Sequence, residues 1–120
     1  MNSNEIGCYS EYRIAAALMA QGHQVSMPLN DSSVYDMIVE ANSKLYKIQI
    51  KGTKKKPQPN RLGVHVNITR HRQYSKSEID YYAIWVEHYK GFFFLKNENQ
   101  NSVNLNPFGK YKENFNTFVL

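Results

Sequence analysis

Three residues in the first half of the chain combine the atom types that metal-assisted water chemistry needs. Asp36 offers a carboxylate, Gln49 an amide carbonyl and Lys51 an ammonium. Gln49 and Lys51 are one residue apart, and in a strand that spacing sends both side chains to the same face. If residues 35–41 and 45–51 pair as a hairpin about Asn42-Ser43-Lys44, its open end brings 35–37 beside 49–51. Asp36, Gln49 and Lys51 then meet at one spot. Carboxylate and carbonyl oxygens suit Mg²⁺, a hard cation that keeps several waters, and the main-chain carbonyl of Ile50 adds another oxygen. A lysine beside a metal-bound water can orient it, help deprotonate it, or neutralise charge growing on a phosphate. The same spacing also fits a turn-capping Asp36 and a wet edge-strand face carrying Gln49 and Lys51, and it does not choose between the two.

Other chemistries find less support. His23, His65, His71 and His88 show no metal-ligand spacing, so each reads as a surface or sheet residue. Cys8 has no basic neighbour in sequence and reads as a packed thiol. The chain contains neither a Gly-x-Ser-x-Gly elbow nor a phosphate-binding P-loop.

The elements that must position these residues follow from periodicity. Residues 5–21 predict an amphipathic helix with a stripe of Ile6, Tyr9, Arg13, Ala16 and Ala17, flanked by Ile14, Leu18 and Met19. Ser3 or Asn4 is placed to cap it, and Gly22 to end it. His23–Pro28 reads as a short extended piece. In the second arm of the hairpin Leu45, Lys47, Gln49 and Lys51 alternate with Tyr46, Ile48 and Ile50. Pro57 and Pro59 make residues 54–60 an exposed basic loop. Val64, Val66 and Ile68 alternate with His65 and Asn67, which predicts a strand. Tyr81–Glu87 and Phe92–Leu95 flank Tyr89-Lys90-Gly91 as a buried hairpin. Residues 97–106, rich in asparagine, read as a polar loop. Tyr111, Phe115 and Phe118 suit either a short docked helix or a last strand. The order predicts an α+β or α/β fold with a mixed sheet.

Composition narrows the class. A chain of 120 residues predicts one domain, 1–120, and 42% apolar residues suffice for a modest core. No stretch approaches the roughly 20 apolar residues of a membrane span. A single cysteine and an N-terminus without a secretory pattern predict an intracellular, cytoplasmic setting rather than secretion. The net charge is +5, and its distribution is uneven. Residues 1–43 hold five acids (Glu5, Glu11, Asp31, Asp36, Glu40) and one base, Arg13. Residues 51–77 hold eight bases and no acid. An acidic end followed by a basic middle fits a cation site beside a polyanion-binding surface, or simply a solvated basic loop.

Taken in order, these segments resemble the PD-(D/E)XK nuclease superfamily. Gly7-Cys8-Tyr9-Ser10-Glu11 resembles the Gly-x-x-x-Glu of the family's first helix. Tyr35–Val39 resembles the strand that bears its aspartate, and Lys47–Thr53 the strand that bears (Glu/Gln)-x-Lys. Residues 79–86 and 92–95 resemble the late strands of small members, among them archaeal Holliday-junction resolvases and an intron-encoded homing endonuclease. The resemblance implies a restriction-endonuclease-like core, a mixed sheet flanked by helices. It implies Asp36 as the central metal ligand, Gln49 and the Ile50 carbonyl as further ligands, Lys51 as the catalytic lysine, and Glu11 reaching in from the helix. Thr53 falls where it can touch a phosphate. The implied cofactor is Mg²⁺, which Mn²⁺ can replace. Two departures stand out: Tyr35 occupies the position of the motif's proline, and Gln49 removes one negative charge beside the metal.

The implied activity is hydrolysis of phosphodiester bonds in branched or duplex DNA, structure-selective as in a junction resolvase or site-specific as in a homing endonuclease. The few residues to spare for a reading domain favour shape or a multimer. Lys54, Lys55, Lys56 and Arg61, with Arg70 and Arg72 extending the track, become the phosphate-contacting surface. Cutting both strands implies a homodimer or a higher symmetric assembly. An inactive nucleic-acid-binding module on the same fold is the alternative, and an adaptor unrelated to nucleic acid a third reading.

Overall fold

The computed structural model describes residues 1–30, 32–69 and 72–120. Its one long helix, α1 (Ser3–Ala20), is capped one residue earlier than Ser3 or Asn4. The Asn2 side chain accepts from the Glu5 amide at 2.8 Å, and the Glu5 carboxylate accepts from the Asn2 amide at 3.0 Å, a reciprocal capping box. The buried stripe is Ile6, Ser10, Ile14 and Leu18, with Ala15 beside it. This differs from the predicted stripe because a serine lies within it. The Ser10 hydroxyl donates to the Ile6 carbonyl, so the helix itself satisfies it and it can be buried. Tyr9 and Ala17 lie at the margin of the core, and Met19 is exposed.

The main sheet has five strands in the order β1-β2-β3-β5-β6. These are β1 (Gln24–Ser26), β2 (Met37–Ala41), β3 (Lys44–Thr53), β5 (Tyr81–Val86) and β6 (Gly91–Lys96). β2 and β3 form the predicted hairpin, with Ala41 opposite Lys44. Its turn is two residues, Asn42 and Ser43, both at positive φ, as the right-handed twist of a tight hairpin demands. β3 and β5 run parallel and the other pairs antiparallel, so the sheet is mixed, as expected. Asp80 starts β5 in register: its carboxylate accepts from the Lys47 amide at 2.8 Å, and its own amide donates to the Lys47 carbonyl at 2.9 Å.

α1 covers one face of this sheet, over a core that includes Ile48, Ile50, Tyr81, Trp85 and Phe94. The opposite face is covered by a two-stranded antiparallel ribbon of β4 (Val64–Asn67) and β7 (Ser102–Leu105), not by a second helix. β7 corrects the polar-loop reading of 97–106. Val103 and Leu105 alternate with Ser102 and Asn104, and burial of that apolar pair pins the strand to β4. Asn97 is buried as well, and its amide donates to the carbonyls of Tyr74, Ser75 and Ile79.

The C-terminal segment is neither a docked α-helix nor a strand. A 3-10 turn at Lys112–Asn114 leads it across the edge of β6. Asn116 acts as a substitute strand there, donating to the Phe92 carbonyl at 2.8 Å and accepting from the Phe92 amide at 3.0 Å. Phe115 then packs on the ribbon side and Phe118 on the helix side. Among the described residues no helix is long and apolar enough to cross a membrane.

Candidate active site

The site forms where a strand stops. β2 pairs with β3 only as far as Ile48, while β3 runs on to Thr53 beside β5. Asp36, just before β2, closes this opening at its mouth. Its amide donates to the Ile48 carbonyl at 2.8 Å, and its carboxylate Oδ2 accepts from the Ile50 amide at 2.8 Å. The N–H and C=O of one strand residue point the same way. The Ile50 carbonyl therefore leaves β3 toward the same opening as the amide that Asp36 holds.

Gln49 and Lys51 lie opposite Tyr82 and Ile84 of β5, whose side chains belong to the core beneath the ribbon. Both thus share the ribbon face, as their spacing predicts. Gln49 Oε1 is buried and has no hydrogen-bond partner among the described residues. Lys51 lines a cleft with Gly7, Thr53, Val66 and Asn67. α1 reaches this point because Gly52 lets it: a methyl group there would sit 2.5 Å from Ser10 Oγ and 3.3 Å from the Ile6 carbonyl oxygen.

Charge in the opening is under strain. Burial raises the pKa of Glu11, and the negative charge of Asp36 raises it further. Glu11, on α1, is therefore close enough to Asp36 for the two carboxylates to repel. Burial likewise raises Asp36, against the opposing pull of the Ile50 amide and of Lys51. Burial lowers Lys51, with Asp36 opposing. Among the described residues the side-chain ion pairs are Arg72–Glu78 and Lys90–Glu87, both elsewhere.

Two carboxylates raised chiefly by burial, one of them facing Lys51, and a buried amide oxygen without a donor leave this pocket able to take a further cation. Leaving such an oxygen unpaired is costly. Asp36, Gln49 Oε1 and the Ile50 carbonyl form an all-oxygen donor set, with Glu11 near it, and such a set suits a hard divalent cation. Among the described residues there is no cluster of three or more His, Cys, Asp or Glu. A divalent cation held here would draw part of its coordination from the amide and the main-chain carbonyl.

The basic stretch divides. Thr53 Oγ1 accepts from the Lys55 amide at 3.1 Å and so shapes the start of the loop. Lys54 is tied to the Met1 carbonyl at 2.5 Å. Lys55 borders the Lys51 cleft and also a second cleft, which Lys56 and Arg61 line with it. Arg72 is not brought there: it pairs with Glu78 and lies 4.9 Å over the Tyr74 ring. Arg70 lies outside the described residues. Sequence reasoning missed His65, Asn67 and Asn104 at these clefts. The alternation around His65 and Asn67 marked a strand, but nothing local showed which strand or loop would lie beside it.

A sheet interrupted beside a carboxylate and a Gln-x-Lys strand defines a nuclease of the restriction-endonuclease-like class. The chain belongs to the PD-(D/E)XK endonuclease family, phosphodiesterase nucleases that typically use a divalent metal: the family's sequence profile matches residues 1–114. Among solved structures it is similar to a bacterial homing endonuclease, I-Ssp6803I. That match has 16% identity and a TM-score of 0.76 over 96% of this chain and 89% of the other. It is also similar to Hjc, a Holliday junction resolvase of Archaeoglobus fulgidus, at 10% identity and a TM-score of 0.50 over 78% of this chain and 83% of the other. No curated protein matches by sequence.

Proposed function

We propose that residues 1–120 form a single Mg²⁺-dependent DNA endonuclease domain with its active site at Glu11, Asp36, Gln49, Ile50 and Lys51. One observation carries this reading: Asp36 is locked onto the Ile50 amide at 2.8 Å, next to the orphaned Gln49 oxygen. Asp36, Gln49 Oε1 and the Ile50 carbonyl are the ligands, and Glu11 supplies the second negative charge that Gln49 does not. A bound divalent cation supplies Lewis acidity at the scissile phosphate and a lowered pKa for coordinated water.

The protein's own groups do the rest. The Asp36–Ile50 bond fixes the carboxylate without a side-chain partner. Lys51, half-buried and with a lowered pKa, orients the attacking water and offsets the charge that grows on the phosphate. Thr53 and the loop through Lys54, Lys55, Lys56 and Arg61 hold the flanking phosphates.

Cutting both strands calls for two such sites, so the active form is a homodimer or a higher symmetric assembly. The single Cys8, which is exposed rather than packed as its sequence setting suggests, accords with an intracellular setting. Of the two substrate types, the site-specific duplex is supported by the fuller structural match, to a homing endonuclease.

The test is cleavage of a labelled duplex pool and a four-way junction with Mg²⁺ or Mn²⁺. Asp36→Asn and Lys51→Ala run beside the wild type. Metal-dependent cutting that both variants lose is the expected result. Cutting at the wild-type rate in either variant would overturn the assignment. Metal-independent binding without any cutting would favour the inactive binding module.

A further inference from the structure

We infer that the outer face of the β4–β7 ribbon reads base edges in a groove of duplex DNA, so that substrate choice is by sequence. This rests on the endonuclease reading above. Along the ribbon Val64, Val66, Val103 and Leu105 point into the core, and His65, Asn67, Ser102 and Asn104 point out. His65 lies opposite Asn104, and Asn67 opposite Ser102. The outer face is therefore a two-by-two array of uncharged hydrogen-bonding side chains.

The rim of that array is positive. Lys55, Lys56 and Arg61 line one cleft with His65 and Asn104. None of the ten acids lies on the ribbon or in the loop from 54 to 63. Neutral donors contact phosphates too, but a phosphodiester oxygen only accepts, so a surface that also turns acceptors outward is not built for phosphates alone. Neutral donors and acceptors inside a positive rim suit base edges flanked by phosphates. A two-stranded ribbon is also a shape that the major groove, about 12 Å wide, admits.

Two of the readers are already oriented. Asn67 Oδ1 accepts from the Thr69 amide at 3.1 Å, which leaves its amino group outward. Asn104 Nδ2 donates to the Leu62 carbonyl at 2.9 Å, which leaves its carbonyl oxygen outward. One thus offers a donor and the other an acceptor, in settled rotamers. The array also joins the chemistry. Asn67 borders the Lys51 cleft, and Lys55 borders both clefts, so a duplex seated on the ribbon runs into the site.

The test enriches a randomised duplex library on the wild-type chain over successive binding rounds. A base motif is expected to emerge. In His65→Ala the affinity ratio of that motif to a scrambled duplex should fall about 5- to 150-fold, the worth of one good base contact. Asn67→Ser is the second probe, expected to lower the ratio at a neighbouring position. Lys55→Gln should weaken both duplexes and keep the ratio. Enrichment of no motif, or loss in His65→Ala and Asn67→Ser that is equal for motif and scramble, overturns the inference. The endonuclease reading is scored separately, by Mg²⁺-dependent cutting of the enriched motif and of a four-way junction. Sequence-blind cutting of the junction would sink the ribbon's role and spare the nuclease. A motif that is bound while neither DNA is cut would do the reverse.

Discussion

At the scale of single residues, Asp36 has two tasks, and they separate on substitution. Its carboxylate accepts from the Ile50 amide, and an asparagine carbonyl can accept there too. Asp36→Asn should therefore stay folded while losing metal-dependent cleavage, as read by circular dichroism beside a nicking assay. If Lys51 faces the scissile phosphate as proposed, Lys51→Ala should lower kcat by about 10²- to 10³-fold. The pH dependence of stability follows from the same burial. Glu11 and Asp36 have raised pKa values, so between the ordinary 4.5 and 3.8 and those raised values the folded chain binds more protons. Metal-free stability then falls as pH rises through that window. Lys51 has the opposite sign: the folded chain binds fewer protons between its lowered pKa and 10.5, and stability climbs with pH there. Glu11→Gln should flatten the acid-side fall in urea midpoints and raise the metal-free midpoint at neutral pH. A lower midpoint in that variant would contradict the repulsion. Asp36, Gln49 and Lys51 were legible in the sequence because a hairpin with period two makes their meeting a matter of counting. The orphaned state of Gln49 Oε1 was not, since it depends on what covers the other side.

At the scale of elements, the crossing of α1 over β3 sets the position of the site. Gly52 sits at that crossing, where a methyl group would meet Ser10 Oγ at 2.5 Å. Gly52→Ala must displace Ser10 or lift the helix, at about 1–3 kcal/mol. Because Lys51 and Thr53 flank it, cleavage should fall along with the melting temperature. An unchanged melting temperature would show that the crossing yields more readily than its contacts imply. The hairpin and the interior strand β5 were readable from alternation and from a run of apolar residues. Two elements were not. The helix stripe was misplaced because Ser10 looks polar yet is satisfied within its own turn. β7 was hidden because its apolar pair, Val103 and Leu105, sits among asparagines, and only β4 and the core beneath it give that pair a reason to be a strand.

At the scale of the whole molecule, the positive rim and the edges of the sheet decide what the chain can meet. If Lys55 contacts a phosphate, Lys55→Gln should reduce the slope of log K against log salt by about one. A slope that does not change would remove Lys55 from the interface. In solution the assembly should have at least twice the 14.0 kDa of one chain, measured by light scattering. The β6 edge is partly closed to strand addition between copies, because Asn116 occupies the Phe92 amide and carbonyl and Asn114 the Phe94 carbonyl. Aromatic spacing near the C-terminus pointed to an element there. Its path across the edge depends on two faces at once, which no local period encodes.

The interrupted sheet also gives the protein an internal gauge. The Ile50 proton is screened from water by a side chain rather than by a neighbouring strand. Its resonance and its exchange with deuterium should therefore follow whatever happens to the Asp36 carboxylate, whether protonation, occupancy by a cation or arrival of a phosphodiester. A single amide, observed by NMR in the intact chain, would report the state of the catalytic centre without any label placed inside it.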